Sequence, residues 1–301
     1  MIDEHEWRSV LQTAQDGTIS KAAKNLYVSQ PSLSQCIKKI ENELGMNIFE
    51  RGQTPLRLTE AGRAYVEAAQ RIRDIRQSLL RQVDDLSELR NGQLRIGSSR
   101  TRTACLLSEA MVAFHQRYPN IRLSIVETST ARLQEHVLQG NVDFALLYEP
   151  LDQSAFSVVP IRDEQVFLAV PAGHPLTQPY GGMQPEPYPQ VSFARFADEP
   201  FIALKQGRCM ASIFGRLCQQ TGITPPVVFE ADSILSAAEL CAQGLGATLV
   251  TDMIIDHGLW HRRPFFFALE EPVEPRRLAA AYGKRQASLP RAARIFLEFL
   301  H

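Results

Sequence analysis

A chain of 301 residues is too long for one ordinary core, because domains cluster near about 100–150 residues, so two or more folding units are expected. Hydrophobic residues make up 45% and charged residues 22%, with 17 Gly and 18 Pro, a balance that excludes a disordered, collagenous or fibrous protein. Thirty-two Lys and Arg against 33 Asp and Glu leave a net charge of -1, so any grip on nucleic acid must come from a local patch.

The start, Met1-Ile2-Asp3-Glu4-His5-Glu6, is acidic where a secretory signal is basic and then apolar, and no window holds the ~18 apolar residues of a membrane helix. The expectation is a cytoplasmic protein, with its five cysteines reduced. Trp7, Val10, Leu11 and Ala14 fit one helix that ends at Asp16-Gly17. Thr18 or Ser20 can cap a second helix through Ala22, Ala23 and Leu26, and Ser29 a third, with Pro31 in its first turn. Only Tyr27 and Val28 separate the two, so they must cross steeply, as in a helix-turn-helix.

In the third helix Leu33, Ile37, Ile40 and Leu44 form the core-facing stripe, which leaves Gln30, Ser32, Ser34, Gln35, Lys38 and Lys39 on the other side. Hydroxyls and amides can exchange hydrogen bonds with base edges, and lysines can sit on phosphates. Between residues 18 and 58, Lys21, Lys24, Lys38, Lys39, Arg51 and Arg57 outnumber Glu41, Glu43 and Glu50, so a local basic excess sits where DNA would lie. Ile48-Phe49-Glu50-Arg51 and Leu56-Arg57-Leu58, around Gly52-Gln53-Thr54-Pro55, read as two short strands of a wing.

Ala22-Ala23, Leu26, Val28-Ser29-Gln30-Pro31-Ser32-Leu33-Ser34, Ile37, Glu41, Leu44-Gly45, Phe49, Arg51 and Leu58-Thr59-Glu60-Ala61-Gly62 together resemble the winged helix-turn-helix of LysR-type transcriptional regulators. The resemblance puts Gln30, Pro31, Ser32, Ser34, Gln35 and Lys38 at or near DNA, with Arg51 on the wing. Cys36-Ile37-Lys38 departs from the many members with an extra basic residue there, which leaves the operator sequence open.

Thr59 can cap a helix to about residue 90, whose Tyr65, Ala68, Ile72, Ile75, Leu79, Val83, Leu86 and Leu89 alternate by threes and fours as in a coiled coil. A partner helix is required, and a homodimer or homotetramer is expected, because a symmetric pair presents two reading helices to a palindromic operator on double-stranded DNA.

Beyond residue 91 short strands (94–97, 121–126, 144–147) alternate with helices (106–114, 132–140), which predicts a doubly wound parallel sheet. A second set, strands at 165–170, 201–204, 227–230 and 247–250 with helices at 210–220 and 233–242, predicts a second lobe; the Pro-rich stretch 176–189 is a loop. Gly92-Gln93-Leu94-Arg95-Ile96-Gly97, Tyr118-Pro119, Gly140-Asn141-Val142-Asp143, Gly173-His174-Pro175-Leu176 and Gly244-Leu245-Gly246-Ala247 are similar to the same family's effector module. The fold class implied is α/β: a winged helix-turn-helix at 1–58, a linker and dimerisation helix at 59–90, and a two-lobed periplasmic-binding-protein-like effector domain at 91–301. Its lobes would be 91–161 plus 266–301, and 162–265.

A small-molecule effector, most simply a carboxylate, is expected between the lobes, where strand ends meet helix starts. Candidate residues are Ser98, Ser99, Arg100, Thr101, Thr128 and Thr130 on lobe one, with Arg102 in the same segment as Arg100, and Leu204 and Thr248 on lobe two, where Lys205-Gln206-Gly207-Arg208 adds cations. Cys209 and Cys218 have the gap of the redox pair in the family's peroxide-sensing members, which makes a thiol sensor the alternative. His257 and His261, spaced for one helix face near Asp252 and Asp256, lack the rest of a metal shell, and Gly244-Leu245-Gly246 is no dinucleotide fingerprint. Cys105 and His115 lie too far apart on one helix to act as nucleophile and base, so neither an enzyme, a metal nor a cofactor is expected.

Overall fold

The computed structural model describes residues 3–50, 52–53, 55–86, 92–205, 209–258, 260–284, 286 and 288–300, with side chains left out at 77, 78 and 80–86. It divides into two units, Met1–Leu86 and Ser87–His301.

In the first unit, Asp3 and Glu6 each accept from the other's backbone N–H, a capping box that opens α1 (Glu4–Asp16). Gly17 ends it at φ 69°, a left-handed exit that favours glycine. Thr18, not Ser20, caps α2 (Ile19–Asn25), and Ser29 caps α3 (Gln30–Leu44) by accepting from Ser32 N–H. Leu33, Ile37 and Ile40 of α3 are buried with Trp7, Val10, Ala22 and Ala23, each large apolar side chain stabilising the unit by about 1.5–3 kcal/mol. Leu44, expected in that stripe, is 47% exposed, since the helix ends there before the core can cover it.

The wing is shorter than two strands. One bridge joins Phe49 and Leu58, and Glu50 N–H donates to the Arg57 carbonyl. Thr59 Oγ1 accepts from Gly62 N–H at the start of α4 (Glu60–Leu86). Tyr65 and Ala69 of α4 belong to the head's own core, whereas Ala68 faces out; the free apolar stripe is Ile72, Ile75 and Leu79, exposed by 36%, 70% and 59%. The expected seam positions Val83, Leu86 and Leu89 have no described side chains.

The second unit starts with β1 (Gly92–Ser98), α5 (Arg100–Arg102), a π-helical turn at Thr103–Leu107 and α6 (Ser108–Arg117). Next come β2 (Ile121–Glu127), α7 (Thr130–Leu138), β3 (Phe144–Tyr148) and β4 (Phe156–Glu164). The chain then crosses to lobe two: β5 (Val166–Val170), β6 (Gln190–Val191), β7 (Phe201–Leu204), α8 (Cys209–Thr221), β8 (Val227–Ala231), α9 (Ile234–Ala242), β9 (Thr248–Thr251), α10 (Asp252–His257) and β10 (Phe265–Leu269). It returns to lobe one with β11 (Arg276–Gly283) and α11 (Arg291–Glu298).

The sheets are mixed, not the doubly wound parallel pair expected. Lobe one has the order β2-β1-β3-β11-β4, with β1 parallel to β2 and β3 but β11 antiparallel to β3 and β4. In lobe two β5 is antiparallel to β9 and β10, and β7 and β8 form a separate parallel pair. The returning chain produces the difference: β11 enters lobe one's sheet from the opposite direction to β3. Because β10 pairs with β5, lobe two runs on past residue 265 to Leu269. Phe114, Phe144 and Phe296 anchor the lobe-one core; Phe193, Phe201 and Phe265 anchor that of lobe two.

Candidate functional site

The DNA-facing candidate is the outer side of α3. Core packing of Leu33, Ile37 and Ile40 fixes the helix's rotation, so Gln30, Pro31, Ser32, Ser34, Gln35 and Lys38 are all exposed on the other side. Ser20 Oγ donates to Gln30 Oε1 at 3.0 Å and orients that amide. Lys39, by contrast, is held within the head, 2.9 Å from Glu6 and 3.7 Å from Glu43. Among the described residues Lys38 makes no ion pair, so its ammonium is open to a phosphate. Arg51 lies outside the described residues. Pattern reasoning did not single out Tyr27, which lies in the α2–α3 turn at φ 56° and is 96% exposed beside the start of α3. An aromatic in a two-residue turn between capped helices was the available signal.

The second candidate is built on the carboxyl ends of β1 and β2 in lobe one and of β7 in lobe two. The parallel register of β1 and β2 sets Ser98 opposite Glu127, and Thr128 N–H donates to the Ser98 carbonyl, so the turns carrying Ser99 and Thr128 are neighbours at one sheet edge. Ser99 caps α5, accepting from Arg102 N–H at 3.4 Å. Ser98 is fully buried, Ser99, Thr101 and Thr128 are half-buried, and Arg100 and Thr130 are exposed. On lobe two Leu204 ends β7 half-buried, and Lys205 pairs with Asp232 at 2.8 Å. Residues 206–208, including the expected Arg208, lie outside the described residues. Thr248 is buried instead: the residue is 1% exposed and its hydroxyl donates to the Ile202 carbonyl at 2.8 Å. Thr248 also pairs with Ala169, toward the end of β5 away from the crossover, which explains why strand membership alone misplaced it.

At the crossovers the structure gathers four side chains that the sequence keeps far apart. Arg102, 4% exposed, lies over the Tyr148 ring at 5.1 Å, and Arg276 lies over the same ring at 3.7 Å. Tyr148 O–H donates to Glu164 Oε2 at 2.8 Å, and Glu164 is fully buried. Arg276 Nη1 is 3.8 Å from that carboxylate and 3.6 Å from Met210 Sδ, in the first turn of α8. Burial pushes the Glu164 carboxyl above its ordinary value, against the Tyr148 hydrogen bond and the Arg276 charge. Among the described residues Arg102 Nε, Arg276 Nε and Glu164 Oε1 have no hydrogen-bond partner, and an orphaned buried polar group costs about 1–3 kcal/mol.

The other signals disperse. α10 stops at His257, so His257 and His261 share no helix. Cys209 and Cys218 both sit on α8, nine positions apart, which sets them half a turn out of phase and about 13.5 Å apart along the axis. A disulfide needs Cα atoms within about 4.4–6.8 Å. Burial raises the Cys218 thiol, which opposes thiolate formation.

Known proteins bear on both candidates. Residues 5–63 match the family described as bacterial regulatory helix-turn-helix protein, lysR family, and residues 87–301 match the LysR substrate binding domain. The uncharacterized HTH-type transcriptional regulator YcgK of Bacillus subtilis is 32% identical over 257 residues, covering 81% of this chain and 78% of YcgK. Among solved structures, HinK, a LysR family transcriptional regulator from Pseudomonas aeruginosa, is 26% identical with TM-score 0.58, covering 98% of this chain and 96% of HinK. A full-length OxyR variant from the same organism shares the fold, with TM-score 0.65 at 23% identity, over 100% of this chain and 98% of OxyR. A helix-turn-helix with an exposed amide- and hydroxyl-bearing helix, joined in one chain to a two-lobed α/β unit, thus has its counterpart at full length, and the chain belongs to the LysR family of DNA-binding transcriptional regulators.

Proposed function

We propose that the chain binds a palindromic operator as a homodimer or homotetramer, and that a small carboxylate in the cleft between its lobes governs that binding. The observation that carries the DNA half is the exposed face of α3, where Gln30, Pro31, Ser32, Ser34, Gln35 and Lys38 stand clear of the packed stripe. Gln35 has the donor and acceptor pair that reads adenine in the major groove, and Arg51, in the wing, is assigned to the backbone by resemblance. Ile72, Ile75 and Leu79 give the linker helix an apolar stripe for a second copy. The effector half rests on Ser99 and Thr128 brought side by side at a strand edge, with Ser98 and Thr101 beneath and beside them. A ligand regulates only if it binds one lobe arrangement better than another.

The effector reading is preferred to a thiol sensor because Cys209 and Cys218 point to opposite sides of one continuous helix. The test is selection of genomic DNA fragments by the purified full-length protein at low salt, followed by titration of the selected operator. Ser99→Ala and Thr128→Ala should leave operator binding intact and abolish its response to ligand. Failure to select any fragment would overturn the proposal.

A further inference from the structure

The buried quartet at the crossovers is out of balance. Arg102 and Arg276 bring two positive charges, Glu164 when ionised brings one negative, and the neighbouring Arg162–Asp252 pair, at 3.2 Å, cancels itself. The unpaired atoms are two guanidinium N–H donors and one carboxylate acceptor. A buried network kept only for structure satisfies its own groups. This one, among the described residues, leaves donors and an acceptor unused around the Tyr148 ring, with Arg102 and Glu164 both more than nine-tenths buried.

We propose that the cleft takes a hydroxycarboxylate monoanion, whose carboxylate lies on Arg102 and Arg276 and whose hydroxyl donates to Glu164. The inference rests on the cleft reading above and names its ligand class. One added negative charge neutralises the quartet, and a guanidinium fork matches a carboxylate. The orphaned Glu164 oxygen then requires a donor on the ligand; a plain carboxylate leaves it unpaired and a second carboxylate repels it. An amino acid offers an ammonium to Glu164, but as a zwitterion it leaves the surplus positive charge in place. Location makes the site regulatory. Arg102 and Tyr148 belong to lobe one, Glu164 and Arg276 stand at the two crossovers, and Arg276 touches Met210 of lobe two, so a ligand here senses the hinge.

The test titrates the full-length protein calorimetrically with matched acids that differ by one hydroxyl, lactate against propionate and mandelate against phenylacetate, with alanine as the zwitterion. The hydroxy acid of at least one pair should bind about tenfold tighter than its partner and tighter than alanine. Arg276→Met and Arg102→Met should each weaken it about tenfold, with Arg276→Lys in between, and Glu164→Gln should erase most of the preference within the pair. Circular dichroism of each variant separates lost binding from lost fold. Equal binding within both pairs, or alanine binding best, overturns the hydroxycarboxylate assignment while leaving the cleft reading standing. No binding by any acid overturns both, and the operator titration then tells whether the DNA half survives.

Discussion

Gln35 and Lys38 share one exposed helix face, yet they should fail differently. Lys38 is open to a phosphate, so Lys38→Ala should weaken binding evenly across sequences and lower the slope of log affinity against log salt by about one. Gln35→Ala should cost about 1–3 kcal/mol on the operator, much less on random DNA, and leave the salt slope unchanged. Fluorescence anisotropy at several salt concentrations checks both. Lys39 acts inside the head instead, where its ammonium, with the Asp3 backbone N–H, holds the Glu6 carboxyl below its ordinary value of 4.5. A carboxyl depressed on folding adds stability that is present above 4.5 and lost as pH falls through the lower folded value. Glu6→Gln should therefore lower Tm near neutrality, and the gap to the parent should close on acidification, as thermal melts at stepped pH will read. Residues of this kind were only partly legible. Hydropathy marked both lysines as exposed, but only the fold separates Lys38, open, from Lys39, tied to the head. The same limit applies to Arg100 and Arg102, which one short turn sends to solvent and to the interior.

At the scale of elements, capping chemistry was the most legible signal, because a cap is set by two or three neighbouring residues. Thr18, Ser29 and Thr59 each accept the backbone N–H that their spacing implies. Pairing between distant strands was the least legible. β11 carries Leu278-Ala279-Ala280-Ala281, weak strand formers that become a central strand only because β3 and β4 flank them. α4 combines both lessons. Its periodic stripe predicts a seam, but Tyr65 and Ala69 are taken by the head, so pairing must rest on the stripe from Ile72 onward, through Ile75 and Leu79. Ile75→Asp with Leu79→Asp should shift the protein toward monomer in sedimentation velocity with little change in Tm, since neither side chain packs in the head. Gly246, between α9 and β9, is a backbone case: a methyl there would overlap the Pro200 carbonyl. Gly246→Ala should destabilise lobe two by about 1–3 kcal/mol, seen as a lower urea midpoint.

Over the whole second unit, the proposed ligand signal and the alternative oxidant signal make different demands on α8. The helix buries Met210, Ala211, Ile213 and Leu217 in the lobe-two core, so its winding and the packing of that lobe are one event. Joining Cys209 to Cys218 would require most of the helix to unwind and would bring those four side chains into water. It would also pull Met210 from Arg276 and so disturb the hinge. Oxidation of the exposed Cys209 alone, as a single thiol, would leave the helix wound. Peroxide should accordingly leave the helical circular dichroism signal and operator affinity within about twofold of the reduced protein, and Cys209→Ser and Cys218→Ser should behave as the parent does. Loss of two titratable thiols together with loss of helix, absent from either serine variant, would reverse the assignment and make α8 a redox spring. Either signal would act across the same crossovers, where the chain passes between the lobes and Arg276 of β11 touches Met210 of α8.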